Sequence, residues 1–162
     1  ANRDFLTGAY NRRFFYQDIE EYVQAAEELD EPYAFAMLDI DHFKKINDTY
    51  GHDGGDKILK SLAKILTDNT KGRDVVARFG GEEFCVVLKK IAKEEAIKFF
   101  VNLRAKVAEN EVIIKDKIVR VTVSIGISFG KGHCEVDDML EACDSALYVA
   151  KENGRNRVEI AL

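Results

Sequence analysis

Two adjacent carboxylates, Glu82 and Glu83, directly follow a pair of glycines in the middle of the chain. Apolar, strand-like runs flank this segment on both sides, so the sequence predicts a β-hairpin with Gly80 and Gly81 as its two-residue turn. A hairpin does not need paired glutamates beside its turn for stability, and we therefore interpret them as ligands. Carboxylate oxygens are the ligands that hard divalent cations prefer, which makes a divalent metal the expected partner.

A second pair of carboxylates, Asp39 and Asp41, lies at the end of a nearly continuous apolar run, residues 34–40, which predicts a strand covered on both faces. One interpretation is that an aspartate caps the segment that follows, since aspartate is a favoured N-cap residue. The other is that this strand end and the hairpin turn lie side by side and together supply two or three oxygens to Mg²⁺. Because adjacent strand residues point to opposite faces, the sequence leaves open which glutamate faces the metal.

Asn47, His52 and Asp56 belong to a polar segment that also contains three glycines. An amide and a carboxylate together can recognise the hydrogen-bonding edge of a purine, and a carboxylate that accepts from ring N–H and amino groups favours guanine over adenine. A turn followed by a helix N-terminus is the structural alternative. A lone histidine such as His52 is more often a structural hydrogen-bonding residue than a catalytic one.

Three basic residues leave a choice between solvation at the surface and binding of phosphate. Lys151 and Arg155 lie four residues apart at the end of the last predicted helix, where basic side chains complement the helix dipole. The functional alternative is a clamp on phosphate groups. Lys44 presents the same choice.

The elements around these residues alternate between helices and strands and include one tight hairpin, which predicts an α/β (α+β) domain with a mixed or antiparallel sheet. Helical periodicity is present within residues 11–29, 58–66, 94–108 and 139–150, and strands are expected at 34–40, 75–77, 85–88, 121–129 and 157–160. Residues 121–129 alternate strictly, which predicts one apolar face on the core and one face of small residues.

The bulk composition describes one globular domain of 162 residues, with no apolar run that approaches a membrane span. Its formal net charge of −5 argues against nucleic acid or an anionic membrane surface as the main partner. The three cysteines lack a C-x-x-C spacing, so we expect reduced, mostly buried thiols and a cytoplasmic location. Because the chain begins at Ala1 in mid-motif, we expect a fragment of a longer protein.

Five blocks of this sequence, in order and over essentially the whole chain, together resemble GGDEF domains, the diguanylate cyclases. The blocks are Asp4–Thr7 with Asn11–Arg13, Asp39–Asp48, Gly51–Asp56, Arg78–Phe84 and Ala146–Asn156. The resemblance implies one catalytic domain over residues 1–162, with residues 1–13 as the N-terminal lead-in motif of the family. It implies a fold similar to the palm of class III nucleotidyl cyclases and polymerases, in which helices flank a mixed sheet and a β-hairpin carries the signature.

The activity implied by the resemblance is the condensation of two GTP molecules into cyclic di-GMP with release of two pyrophosphates. Each 3′-hydroxyl would attack the α-phosphate held by the partner across a homodimer, with two Mg²⁺ ions per half-site and Mn²⁺ as an alternative. An upstream sensory domain would control dimerisation. We expect no direct membrane contact by this domain, whether or not the full-length protein is anchored in a membrane.

The resemblance also implies roles for individual residues. The metal ligands would be Asp39, the backbone carbonyl of Ile40 and Glu82, with Glu83 close by, and Glu82 would activate the 3′-hydroxyl. Lys44 would stabilise the transition state. The implied substrate contacts are Asn47 and Asp56 for guanine, His52 as a further contact, Gly81 for close backbone approach, and Lys151 and Arg155 for the β- and γ-phosphates.

One position departs from the family pattern. Many members carry an inhibitory product site, Arg-x-x-Asp, and here it is Lys71 that precedes Asp74. Lysine lacks the bidentate, stacking fork of arginine, so we expect product inhibition to be weakened or absent. The alternative function is a degenerate domain for GTP binding or dimerisation, although no signature carboxylate is lost. A product that contains adenine is disfavoured by Asp56.

Overall fold

The computed structural model describes residues 1–162 and contains a six-stranded mixed sheet with helices on both faces. The elements are β1 (Tyr10–Asn11), α1 (Arg12–Leu29), β2 (Pro32–Ile40), α2 (Phe43–Asn69), β3 (Val75–Gly80), β4 (Glu83–Lys89), α3 (Lys93–Glu109), β5 (Val112–Ile114), β6 (Lys117–Val119), β7 (Val123–Lys131), α4 (Val136–Glu152) and β8 (Val158–Ile160). The strand order in the sheet is β1-β3-β4-β2-β7-β8, and β5 pairs with β6 in a separate ribbon. The predicted fold class is confirmed.

The central strand β2 pairs antiparallel with both β4 and β7, and it is buried on both faces because helices cover each side of the sheet. Alternate side chains of β2 therefore enter different cores. Phe35 and Met37 pack with residues of α1 and α4, whereas Ala36 and Leu38 pack with residues of α2 and α3. Asp39 continues the first series, so its side chain lies on the sheet face that α1 and α4 cover.

The small-residue face of β7 is where α4 packs most closely against the sheet. A Cβ atom at Gly126 would lie 2.1 Å from the backbone nitrogen of Leu147 and 2.2 Å from the carbonyl oxygen of Cys143. Two residues along, the hydroxyl of Ser128 donates a hydrogen bond to the carbonyl of Met139 at 2.8 Å. The alternation predicted for this strand is confirmed, and its polar face is buried beneath a helix.

The second helix differs most from the sequence prediction. It begins at Phe43, well before the apolar stretch at residues 58–66, and it is interrupted by a kink at Gly51, whose φ of 78° and ψ of 172° are not helical. The first half of α2 buries only Phe43 and Ile46, and two glycines follow soon after the kink, so the apolar period in this segment is too short to predict a helix. Strands β1, β5 and β6, of two or three residues each, were not predicted.

All three cysteines are free, and Cys85 and Cys143 are buried, which confirms the prediction of mostly buried thiols. Burial raises the pKa of Cys143 to about 12 and that of Cys85 well above its ordinary value. Among the helices, none combines the length and the apolarity that a membrane crossing requires.

Candidate active site

The hairpin turn consists of Gly81 and Glu82, one residue later than the sequence predicted. Strand β3 continues through Gly80, which pairs with Glu83, and a register irregularity between Arg78 and Gly80 moves the turn along the chain. Gly81 has a φ of 49°, in the left-handed region that glycine adopts without strain. Glu82 therefore lies at the tip of the hairpin, and Glu83 is the first residue of β4.

Two further contacts fix the turn. The Nε of Arg78 donates a hydrogen bond to the carbonyl of Gly81 at 2.9 Å, and its guanidinium forms an ion pair with Asp4 at 3.2 Å. On the other side, the N–H of Ile40 donates to the carbonyl of Glu82 at 3.4 Å. The turn is thus tied to the N-terminal segment and to the end of β2. Sequence reasoning assigned no role to Arg78 or Asp4 beyond their place in the motif blocks.

Asp39 on β2 is the direct cross-strand partner of Glu83 on β4. Directly opposed residues of an antiparallel pair have Cβ atoms about 5 Å apart on the same face of the sheet. The predicted meeting of a strand end with the hairpin is therefore observed, and it brings Glu83 opposite Asp39 while Glu82 occupies the adjacent turn. The strand register, which sequence alone does not give, decides this arrangement.

The electrostatics of this pair favour a cation. Burial raises the pKa of Asp39 above its ordinary value; the Lys151 ammonium opposes this shift, and the charges of Glu82 and Asp41 add to it. Burial likewise raises the pKa of Glu83, and the nearby carboxylates of Asp144 and Asp39 add to the effect. Negative charge is thus concentrated where it is poorly solvated, and a bound cation would stabilise it.

Lys151, in the last turn of α4, forms an ion pair with the carboxylate of Asp39, and the two side chains are 34% and 14% exposed. This predicted phosphate-binding residue is therefore located at the carboxylate pair. Arg155 follows in the exposed loop after α4, with a φ of 65°, and its backbone N–H donates to the carbonyl of Ala150 at 2.9 Å. Its side chain is directed to solvent rather than to the carboxylates.

Asp41 has a role in the fold that the sequence did not suggest. It is 6% exposed and accepts hydrogen bonds from the hydroxyls of Thr122 and Ser124, both at 2.6 Å, and from the N–H of Asn156 at 3.0 Å. The expectation that an aspartate caps the next helix is wrong, because His42 occupies the N-cap position and no side chain caps it. Asp41 instead joins the end of β2 to β7 and to the loop that carries Arg155.

The predicted guanine-binding residues lie on either side of the kink in α2. Asn47 is in the first half of the helix, and His52 and Asp56 are in the second; His52 is exposed, whereas Asn47 and Asp56 are partly buried. Lys44 is on an exposed face of the same helix, with its side chain 92% exposed and its ammonium 3.3 Å from Asp48. In this structure Lys44 is therefore paired within its own helix and not with the carboxylates of the sheet.

A family model described as "Diguanylate cyclase, GGDEF domain" matches residues 1–157 of the chain. The chain belongs to the GGDEF family. It is 34% identical over 158 residues to diguanylate cyclase DosC of Escherichia coli strain K12, in a match that covers 97% of this chain and 34% of DosC. The GGDEF domain described here thus spans about a third of that curated relative.

Solved structures of GGDEF domains share this fold. The GGDEF domain of DgcB from Caulobacter crescentus, solved in complex with c-di-GMP, has a TM-score of 0.94 at 31% identity, and the match covers 98% of this chain and 92% of that one. Diguanylate cyclase SiaD of Pseudomonas aeruginosa, solved in complex with its activator SiaC, has a TM-score of 0.94 at 32% identity, with coverage of 99% and 62%.

The carboxylates of this GGDEF domain suit Mg²⁺. No group of three or more histidine, cysteine, aspartate or glutamate side chains is arranged as a complete metal site. Mg²⁺ does not need one, because it commonly binds one or two carboxylates together with substrate phosphates and water. The opposed Asp39 and Glu83, with Glu82 at the adjacent turn, provide hard oxygen donors of this type.

The residues at the position of the inhibitory product site have a structural role in this domain. One carboxylate oxygen of Asp74 accepts from the N–H of Lys71 and the other accepts from the N–H of Lys89, both at 3.0 Å. Asp74 therefore links the loop after α2 to the end of β4. The side chain of Lys71 is exposed and does not pair with Asp74.

Proposed function

We propose that residues 1–162 form one catalytic domain, a diguanylate cyclase that condenses two GTP molecules into cyclic di-GMP and two pyrophosphates. The observation that carries this proposal is the cross-strand pairing of Asp39 with Glu83, next to the turn that holds Glu82. A degenerate member would be expected to lack one of these carboxylates, and this chain has all three. Similarity to the DgcB domain, solved in complex with c-di-GMP, supports the class of product.

In the proposed reaction, the 3′-oxygen of one GTP forms a bond to the α-phosphorus of the other, and the bond from that phosphorus to the pyrophosphate oxygen breaks. Glu82, at the hairpin tip, accepts the proton of the 3′-hydroxyl. Asp39, the Ile40 carbonyl, Glu82 and Glu83 would hold Mg²⁺. When bound there, Mg²⁺ would lower the pKa of the 3′-hydroxyl and neutralise charge that develops on the α-phosphate.

The leaving pyrophosphate is assigned to the basic residues around α4. Lys151 forms an ion pair with Asp39 in the ligand-free domain, and we infer that it transfers this contact to the β- and γ-phosphates when GTP binds. Arg155 completes the clamp from the loop that Asp41 anchors through Asn156. Lys44 must break its surface ion pair with Asp48 before it can approach the transition state. Exposed ion pairs contribute little to stability, so this step costs little free energy.

The guanine base is assigned to the residues on either side of the kink in α2. Asn47 and Asp56 would recognise the base edge from the two halves of the helix, and His52 would make a further contact at the kink. Gly81, with no side chain, allows the backbone of the turn to approach the nucleotide closely. A carboxylate at position 56 accepts from the ring N–H and amino group of guanine, and adenine offers no matching ring N–H.

One domain holds one GTP, so the proposed reaction needs two domains that face each other as a homodimer. The longer protein would control this step through an upstream sensory domain. The relative SiaD has an activator, SiaC, which is consistent with control of GGDEF domains from outside the active site. The domain alone is therefore expected to bind GTP and to turn over slowly.

The test is to incubate the domain, alone and fused to a dimeric coiled coil, with GTP and Mg²⁺ and to quantify cyclic di-GMP by liquid chromatography. We expect slow synthesis by the domain alone and faster synthesis by the fusion. Glu82→Gln should abolish synthesis without unfolding the domain, whereas the control Glu20→Gln, at an exposed site on α1, should leave it unchanged. A fusion that binds GTP but forms no product would support a degenerate binding module instead.

A further inference from the structure

Gly55, in the second half of α2, lies directly against the side chain of Asn47 in the first half. A Cβ atom at position 55 would be 1.9 Å from Oδ1 of Asn47, 3.1 Å from its Cγ and 3.2 Å from Cζ of Phe43. A separation of 1.9 Å is far inside van der Waals contact, so the amide of Asn47 could not remain where it is. The space above Gly55 is therefore occupied by the Asn47 side chain.

Backbone conformation does not explain this glycine. The φ of Gly55 is not in the left-handed region, whereas Gly51 at the kink has a φ of 78°. A glycine inside a helix costs about 1 kcal/mol of stability relative to alanine. Gly55 is buried, and the atom that an added Cβ would strike first belongs to Asn47. A larger residue at position 55 would therefore displace the end of the Asn47 side chain from its present place.

The contact also explains how Asn47 is held. Its Oδ1 lies in the space that a side chain at position 55 would fill, and neither of its polar atoms is buried without a hydrogen-bond partner, so the amide stays available to a ligand. Gly55 precedes Asp56 in sequence. The contact therefore spans the kink and sets the Asn47 amide beside the segment that carries Asp56.

We propose that Gly55 is a positioning residue for nucleotide recognition, because its missing side chain lets Asn47 lie across the kink where it can contact a guanine base. The inference rests on the proposed function, which assigns guanine to Asn47 and Asp56. Gly55 itself does not touch the base. Its effect on binding passes through Asn47, and this gives it a signature that a purely structural glycine would lack.

The test is a double-mutant cycle of GTP binding, measured by calorimetry with Ca²⁺ in place of Mg²⁺ to limit turnover. Gly55→Ala and Asn47→Ala should each weaken GTP binding about tenfold, the equivalent of one good hydrogen bond. The double variant should bind no more weakly than Asn47→Ala alone, because the residue through which Gly55 acts is already absent. The matched control is Gly72→Ala, since Gly72 is exposed and a Cβ atom there would have no neighbouring atom within 4 Å.

Thermal unfolding of the wild type, the two single variants and the double variant tests the contact without any nucleotide. Gly55→Ala should raise the melting temperature more in the Asn47→Ala background than in the wild-type background, because the gain in helix propensity is opposed by the clash with Asn47 only while that side chain is present. Full additivity of the two substitutions, in binding or in stability, would overturn the inference, as would unchanged GTP binding by Gly55→Ala. If wild-type protein binds no GTP, the proposed function fails first, and the unfolding cycle still reports whether Asn47 and Gly55 interact.

Discussion

Asp39 and Glu83 are directly opposed across β2 and β4, on the sheet face beneath α1 and α4. Like charges directly opposite each other destabilise an antiparallel pair, and burial adds to the cost of ionising both. The fold therefore retains an unfavourable pair at the end of its most buried strand. Lys151 offsets part of this charge through its ion pair with Asp39, and a bound cation would offset the rest.

The first prediction is that Glu83→Gln stabilises the metal-free domain at neutral pH. Because the pKa of Glu83 is raised on folding, the folded state binds its proton more tightly than the unfolded chain does. Ionisation of Glu83 therefore lowers the free energy of unfolding fully at pH values above the pKa of Glu83 in the folded state. This destabilisation disappears as pH falls below the ordinary value of 4.5. Because Glu83 is partly buried and not fully desolvated, we expect a gain of less than about 1 kcal/mol at pH 7.

Urea unfolding with a chelator present, at pH 7 and again at pH 4, measures this gain. The stabilisation should shrink at the lower pH, where wild-type Glu83 is itself protonated. Glu20→Gln serves as the control for loss of one exposed carboxylate. A variant that is less stable than wild type at pH 7 would show that Glu83 makes a stabilising contact in the free domain.

Lys151 provides the second prediction, because it is the cation that contacts Asp39. Lys151→Met should lower the free energy of unfolding by about 2 kcal/mol, since it leaves a largely buried carboxylate without its partner. Asp39→Asn in the same chain should recover most of this loss. Lys64→Met, which removes an exposed i,i+4 pair with Asp68, should cost less than about 0.5 kcal/mol.

The same variant separates the phosphate contact from the base contact. Lys151→Met should weaken binding of GTP about tenfold and leave binding of guanosine unchanged, because only the nucleotide carries β- and γ-phosphates. Calorimetry with both ligands makes the comparison. An equal loss for guanosine would place Lys151 at the base or attribute its effect to the fold.

Asp41 provides the third prediction. Asp41→Ala removes the acceptor for two hydroxyls and for the N–H of Asn156, and should cost about 3 kcal/mol of stability. The backbone amide of Asn156 should also exchange faster with solvent, which hydrogen–deuterium exchange measures. Ser128→Ala, which breaks a hydrogen bond to Met139 elsewhere on β7, should not change exchange at Asn156. Unchanged exchange in Asp41→Ala would mean that another contact holds this loop.

Sequence patterns predicted the layers of this fold more completely than the details of its site. The continuous apolar run of β2 and the alternation in β7 are direct consequences of which faces are buried. The start of α2 was not predicted, although Phe43 and Ile46 are buried there, because the kink at Gly51 and the glycines after it are equally typical of a turn before a helix.

Contacts in the site that join distant parts of the chain could not be predicted from local sequence patterns. Lys151 and Asp39 are 112 residues apart, and only the packing of α4 over β2 brings them together. The role of Asp41 was missed for a similar reason, although Thr122 and Ser124 belong to the small-residue face of the strand predicted at residues 121–129. Buried polar groups need hydrogen-bond partners, so a carboxylate and two hydroxyls in predicted buried strands indicate that they bind each other.

The fourth prediction concerns the closeness of α4 to the sheet. Gly126→Ala would place a Cβ 2.1 Å from the backbone nitrogen of Leu147, and a helix backbone cannot move aside as a flexible side chain can. We expect a loss of about 3 kcal/mol, at the upper end of the range typical of overpacked cores. Urea unfolding compares it with Gly72→Ala, which should stay within about 0.5 kcal/mol of wild type. Similar stabilities for the two variants would show that α4 shifts away readily.

The fifth prediction is that Lys71→Arg introduces or strengthens inhibition by cyclic di-GMP. The backbone contacts of Asp74 with Lys71 and Lys89 already hold this loop in place, so the substitution changes the exposed side chain without disturbing its support. Arginine would add the planar fork that recognises guanine, which lysine lacks. Initial rates of synthesis by the dimerised domain, measured with increasing product, should fall at lower product concentration for Lys71→Arg than for wild type. Lys64→Arg, on an exposed face of α2, controls for the change of residue type. Equal inhibition of all three proteins would mean that the product acts elsewhere, and the active site itself would then be the first place to look.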